Sequence, residues 1–318
     1  MLNFLYCFDN AYNTQAQCSI YSILENVDEK INIHIIHKTQ DSARFLQDSI
    51  KEHKKLNSIK VYKFSSKNEI FPNLDGAHIS EATYYRLHID KYLDKDIDFV
   101  TYLDSDIICY QNPIPLLKEE IKNLRNSEFT ISACIEKDVV DSQTRLSKSS
   151  NRYFNAGVLL INFRNWKNNN VGKELLEQLK NETRILEFWD QDLLNIYFDD
   201  NFLELNNFLN YKLTLRDHQK IKNEELVKSI SPQMIFIHYS GKFKPWSLKG
   251  IINKKCVFYQ DVYRNLFSTP FHLSYNYKLN TLKDLFRSLY SFTIFQVDRP
   301  FSLFKLVIKS LLSENKKY

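Results

Sequence analysis

Residues 3–8 (NFLYCF) form a short apolar run that stops at Asp9, and 31–37 (INIHIIH) is a second, mostly apolar run. Residues 58–64 (SIKVYKF) alternate apolar and polar positions. All three predict strands, because a pleated chain turns successive side chains to opposite faces. Between them, Ile20, Ile23, Leu24 and Val27 recur at helical spacing, and 39–56 reads as an amphipathic helix. Residues 79–93 predict another helix, with Ser80 as N-cap. Residues 98–104 (DFVTYLD) predict a buried strand ending in acidic residues. Further strands are expected over 129–135, 154–163 and 234–239, and helices over 171–181 and 190–198. Strands alternating with helices predict an α/β sandwich with a mostly parallel sheet. Ligands of such sheets lie beyond the carboxyl ends of the strands, where Asp9, Asp104 and the residues after Ile135 and Ile237 stand.

Composition narrows this picture. With 318 residues the chain has room for one large domain and an appendage, or two domains. Only 5 glycines are present, and neither G-x-G-x-x-G nor G-x-x-x-x-G-K-[ST] occurs, so a nucleotide must be held some other way. The five scattered cysteines include no C-x-x-C, which points to reduced thiols in a cytosol. The N-terminus reads as a strand and not a signal peptide. No apolar run is long enough to span a membrane as a single helix.

Charge is unevenly placed. Residues 251–318 hold 11 Lys/Arg against 4 Asp/Glu, or +7, whereas 1–250 hold 32 against 34, or −2. In 301–312 (FSLFKLVIKSLL), Leu303, Phe304, Leu306, Val307 and Leu311 gather near one helical side, with Lys305 and Lys309 on another. Such a helix suits an anionic membrane surface, and it equally suits docking on the core. No motif for binding nucleic acid accompanies the charge. The division expected is a catalytic domain over 1–250 and a membrane-association segment over 251–318.

Four clusters carry candidate chemistry. Tyr102-Leu103-Asp104-Ser105-Asp106 delivers two carboxylates from the end of a buried strand, hard donors for Mg²⁺ or Mn²⁺ that would bridge to a diphosphate. His238 offers an imidazole at another strand end, and Gly241, Lys242 and Lys244 offer close backbone approach and positive charge. Small residues beside Asn155 (Phe154-Asn155-Ala156-Gly157) suggest a place where a ligand approaches the backbone. Asp190-Gln191-Asp192 opens a helix, where acidic residues also act as caps.

Taken in order, Asp9-x-x-Tyr12, His78…Tyr84-x-Arg86-Leu87, Asp104-x-Asp106, Phe154-Asn155-Ala156-Gly157-Val158, Asp190-Gln191-Asp192 and His238-x-x-Gly241-x-x-Lys244-Pro245-Trp246 resemble glycosyltransferase family 8. The resemblance covers about residues 2–247 and looks most like the bacterial lipopolysaccharide and lipooligosaccharide α-galactosyl- and glucosyltransferases. It implies a GT-A type, Rossmann-like fold and a Mn²⁺-dependent, anomer-retaining transfer of a hexose from a UDP-sugar to a saccharide acceptor. A lipid-linked acceptor and a peripheral place on the inner face of the bacterial cytoplasmic membrane are expected with it. By that resemblance Asp104, Asp106 and His238 ligate the metal. Asp9 and Tyr12 hold uracil, and Arg86, Asn155, Ala156, Asp190 and Gln191 surround the donor sugar. Gly241 and Lys244 meet the diphosphate. Ser105, among the donor-binding residues, stands where an apolar residue is frequent. Glu136 stands where an acceptor-contacting Asp is common, and Asn10-Ala11 replaces a more usual acidic-Asn pair.

Retention by double displacement would need a nucleophile. Gln191 matches the expected position, but an amide is a poor nucleophile, so same-face attack is favoured and Asp190 is the second candidate. A catalytically silent sugar-nucleotide-binding protein associated with the membrane is the alternative function.

Overall fold

The computed structural model describes residues 1–65, 71, 81–137, 139, 141–215, 233–274 and 278–313. Ten strands are formed among these residues. They are β1 (Asn3–Cys7), β2 (Ile31–His37), β3 (Leu56–Lys63), β4 (Phe99–Leu103), β5 (Ile107–Cys109), β6 (Ile131–Ile135), β7 (Phe154–Asn162), β8 (Leu203–Glu204), β9 (Tyr211–Lys212) and β10 (Phe236–His238). Seven make one sheet in the order β3-β2-β1-β4-β7-β6-β8, and β5-β10-β9 make a smaller one. β1 to β4 are mutually parallel, β7 is antiparallel to both β4 and β6, and β8 is parallel to β6. The architecture is thus α/β with a mostly parallel, mixed sheet.

The apolar runs in the sequence follow from burial on both faces of the large sheet. In β1, Phe4 and Tyr6 enter one core and Leu5 and Cys7 the other. The helix Asn13–Asn26 covers the first face with Ile20, Ile23 and Leu24. The second is covered by the helical stretch from Glu81 to Tyr92 and the helices Val171–Asn181 and Trp189–Phe198, which contribute Tyr84, Leu87, Leu175 and Leu194. All nine residues of β7 are buried.

Three expectations are corrected. Residues 39–56 do not form one helix but a 3-10 turn, Ser42–Arg44, and a single helical turn, Asp48–Lys51. Gln47 between them is extended, and its N–H is taken by Gln17 Oε1 at 2.8 Å in place of a helical carbonyl. The helix expected over 79–93 begins as a 3-10 helix, Glu81–His88, and becomes α-helical only over Ile89–Tyr92; Ser80 and His78 lie outside the described residues. The strand over 234–239 belongs to the small sheet, antiparallel to β5.

Residues beyond 250 pack against those before it. The helix Val257–Phe267 sends Tyr259 and Leu266 into the same core as Ile20 and Phe236. Gln260 ties this helix to both neighbours, donating to the carbonyls of Pro245 (2.7 Å) and His272 (3.1 Å) and accepting from His272 N–H (2.9 Å). Beyond it, the helices Lys278–Tyr290 and Pro300–Leu312 form a third apolar cluster, in which Leu285, Leu303 and Val307 pack with Leu248, Ile251 and Ile252. No helix among the described residues is long and apolar enough to cross a membrane. All five cysteines are buried and free of disulfides.

Candidate active site

Asp104-Ser105-Asp106 is the corner at which the chain leaves the large sheet for the small one. Asp104 N–H donates to Gly157 O (2.9 Å), the last rung between β4 and β7. The turn closes through Ile107 N–H to Asp104 O, and Ile107 pairs with His238 across β5 and β10. Tyr239 N–H donates to Asp106 O (3.1 Å). Backbone pairing therefore brings His238 opposite the two carboxylates, and ligand atoms of Asp104, Asp106 and His238 lie within 4.8 Å of one another.

These residues fit a divalent cation. Asp106 Oδ1 is buried without a hydrogen-bond partner, 3.4 Å from His238 Nε2. Two electron-rich atoms so placed, with a third ligand beside them, suit a hard or borderline metal ion. Asp106 Oδ2 instead receives the Lys244 ammonium at 2.6 Å, which also donates to Tyr239 O (2.8 Å). Burial alone would raise the Asp106 pKa, but the Lys244 ammonium outweighs it and holds the carboxyl well below its usual range.

β7 is bulged beside this corner. Ala133 pairs with Leu159, but the next residue, Cys134, pairs with Asn155. The N–H groups freed from the ladder are satisfied by side chains, as buried backbone requires. Ala156 N–H donates to Gln191 Oε1 (2.9 Å) and Gly157 N–H to Asn155 Oδ1 (2.9 Å). Of the small residues in this stretch, Gly157 makes room for another side chain. At Gly157 the space is filled by His238: a Cβ there would lie 2.4 Å from its Cε1 and 2.9 Å from its Nδ1.

Arg86 links the corner to Asp190-Gln191-Asp192. Its guanidinium lies over the Tyr102 ring, 3.9 Å from the centroid. It donates to Asp104 Oδ1 (2.9 Å) and Ala156 O (2.6 Å), and Nε stands 2.8 Å from Asp190 Oδ2. Thr83 Oγ1 donates to Asp190 Oδ1. Burial pushes the Asp190 carboxyl up to about 6, against the pull of Arg86 and Thr83. Gln191 has both ends of its amide engaged, since Nε2 also donates to Tyr153 OH (3.1 Å). Asp192 is more than a cap. It accepts Phe188 N–H (2.9 Å), two bonds from Arg145 (2.6 and 2.8 Å) and Tyr153 OH (2.7 Å).

The remaining expected residues fall into two groups. Around the corner, Ser105 is buried, and Glu136 accepts Lys212 Nζ at 2.5 Å and faces Asn155 Nδ2 at 3.4 Å. At the end of β1, Asp9 caps the 3-10 turn Asn10–Tyr12 through Ala11 N–H, and Tyr12 meets Trp246 edge to face. Gly241 has φ +89° and open space beside it, which only glycine occupies without strain and which keeps the backbone accessible. Sequence reasoning missed Thr83, Arg145, Tyr153, Asn210 and Lys212. The hydroxyl before F-N-A-G and the Arg in 142–146 carry no pattern of their own; only folding shows their partners.

Comparison with known proteins identifies the family. The family model described as glycosyl transferase family 8 matches residues 3–250. A lipopolysaccharide 1,2-glucosyltransferase of Escherichia coli is 31% identical over 252 residues, 75% of this chain and 71% of that protein. A lipopolysaccharide 1,3-galactosyltransferase of Salmonella typhimurium is 30% identical over 177 residues, 53% of this chain and 50% of that protein. Among solved structures, the galactosyltransferase LgtC in complex with donor and acceptor sugar analogs matches with a TM-score of 0.63 at 21% identity. That match covers 85% of this chain and 98% of the other.

The packing of His238 on Gly157 gives a direct test. Gly157→Ala must push the imidazole off the strand, so Mn²⁺ affinity read by electron paramagnetic resonance should fall at least ~10-fold. An unchanged affinity in folded protein would show that the ring position does not govern the site.

Proposed function

The chain belongs to glycosyl transferase family 8 and is a glycosyltransferase of GT-A fold; on that premise we propose that it moves galactose or glucose from a UDP-sugar, with Mn²⁺ and with retention, to the saccharide core of lipopolysaccharide or lipooligosaccharide. The observation that carries the reading is the convergence of Asp104, Asp106 and His238 beside Lys244. The names of the relatives support the hexose and the acceptor class. An intact cation site argues against a catalytically silent binding protein.

Asp104, Asp106 and His238 would hold the cation, which when bound supplies positive charge to the diphosphate as it leaves. Lys244 carries a second positive charge to the same side, and Gly241 lets backbone approach the phosphates. Asp9 and Tyr12, at the end of β1, take the uracil. Arg86, Asn155, Ala156, Asp190 and Gln191 line the sugar position, and Glu136 faces the acceptor. Asp190 is already engaged by Arg86 and Thr83, which favours a positioning role over that of nucleophile. Gln191 offers an amide oxygen that already accepts Ala156 N–H. Retention then follows from attack on the face the diphosphate leaves, with the acceptor hydroxyl giving its proton to the departing phosphate.

The tail supports a peripheral place on the inner face of the cytoplasmic membrane. The helix Pro300–Leu312 is apolar on two sides. Leu303 and Val307 are docked in the third cluster, while Phe301, Phe304, Ile308 and Leu312 form an exposed stripe beside Lys305 and Lys309. Phe286, Tyr290, Phe292 and Phe295 are exposed as well. Apolar residues beside cations suit an anionic bilayer, at ~1 kcal/mol per Lys or Arg near the surface.

Three outcomes test these readings. Asp104→Ala, Asp106→Ala and His238→Ala should each nearly abolish transfer with circular dichroism unchanged, and EDTA should remove donor hydrolysis that Mn²⁺ restores. Full activity in EDTA would refute the metal. Product NMR should show the donor's α configuration, and a β linkage would refute both same-face attack and the place given to Gln191. Replacing Phe301, Ile308, Lys305 and Lys309 together by Ser should weaken binding to anionic vesicles and spare donor hydrolysis. Undiminished vesicle binding would refute the anchor. These outward positions test it better than truncation near 270, which would uncover Leu248, Ile251 and Ile252.

A further inference from the structure

A chain of buried hydrogen bonds ends on the back of the His238 ring, and its direction can be read from one end to the other. It starts at a group whose polarity is not in question. Gly157 N–H only donates, so the Asn155 atom that it meets at 2.9 Å is the amide oxygen, Oδ1. The other end of the same amide faces the Glu136 carboxylate, held by the Lys212 ammonium, and that carboxylate wants a donor. Both neighbours fix the Asn155 amide the same way round. Asn210 meets Asn155 Oδ1 at 2.9 Å, and against an oxygen it must present Nδ2. Its own Oδ1 is then turned to His238 Nδ1, 2.9 Å away. An amide oxygen accepts only, so the proton of the neutral imidazole sits on Nδ1. Nε2 is left with its lone pair, facing the unpartnered Asp106 Oδ1.

Asn210 is well placed for this. It ends the 3-10 turn Asn207–Asn210 directly before β9, and β9 runs beside β10 with Lys212 opposite His238. Leu213 N–H donates to His238 O (2.9 Å) and Ile235 N–H to Phe208 O (3.0 Å), so the backbone on both sides of Asn210 is pinned to β10. The side chain is buried.

We propose that Asn210 is the positioning residue of the cation site: through the amide chain anchored on Gly157 N–H, it fixes the tautomer and orientation of His238 so that Nε2 is the ligand atom. The proposal rests on the cation reading given above and adds what selects the ligating nitrogen. Histidine ligands are commonly set by a bond to their other nitrogen, and loss of that bond costs ~10–100-fold in metal affinity.

Two measurements on the full chain decide it. In metal-free wild-type protein, long-range proton–nitrogen correlation spectra report which ring nitrogen carries the proton, with the His238 signals identified by their loss in His238→Gln. The expected result is Nδ1–H, and a proton on Nε2 would overturn the proposal without any variant at Asn210. In Asn210→Leu, which removes both ends of the amide at similar volume, Mn²⁺ affinity by electron paramagnetic resonance should fall ~10–100-fold. The His238 proton should also redistribute toward Nε2, where Asp106 Oδ1 can accept it. Folded Asn210→Leu protein that binds Mn²⁺ as tightly as wild type would overturn the proposal. Wild-type protein that takes up no Mn²⁺ would refute the cation reading instead, and the tautomer spectrum still decides what Asn210 does.

Discussion

Between Leu103 and Ile107 the chain passes from the large sheet to the small one, and three backbone hydrogen bonds clasp that passage. Gly157 O holds Asp104 N–H on one side, Asp104 O holds Ile107 N–H across the turn, and Asp106 O holds Tyr239 N–H on the other. The two carboxylates are thus fixed by strands and not by a free loop, and a site built on sheet elements is held more closely than one on a loop. His238 comes to the same place because the pairing of β5 with β10 fixes its register against Ile107. The bulge in β7 completes the arrangement, since a regular strand would leave neither Ala156 N–H for Gln191 nor Gly157 N–H for Asn155.

Charge sets the second constraint. Arg86 is buried between Asp104 and Asp190, over the face of Tyr102. A buried ion pair gains little net stability, but removing one partner leaves an uncompensated charge and costs ~3–5 kcal/mol. The same applies to Arg145 on Asp192, which anchors Tyr153 and through it Gln191. The residues proposed to line the donor position are thereby tied into two ion networks, so their geometry exists before any ligand arrives. That is the condition for electrostatic preorganisation.

Much of this was legible in the sequence. β1, β4, β6 and β7 are buried on both faces and therefore read as plain apolar runs. Asp104, Asp106 and His238 stand at strand ends, where the α/β rule looks for ligands. Two kinds of feature were not legible. Asn210, Tyr153 and Arg145 act through partners 28, 39 and 47 positions away, and no local pattern encodes such a pairing. Residues 39–56 carry a helical period, yet a side-chain amide from another helix takes the N–H at Gln47 and the period is broken. The sequence suits a tail that is either docked or membrane-facing, and Pro300–Leu312 has one apolar side buried and another exposed.

The ion pair between Lys244 and Asp106 bears on how the proposed cation would relate to the fold. Asp106 is buried, and its charge is already balanced from within the chain. Small zinc domains differ, because their folding free energy is the binding free energy of the ion. In the proposed site the cation would be a guest and not a keystone, and a chelator would act on this enzyme as a reversible inhibitor, not as a denaturant.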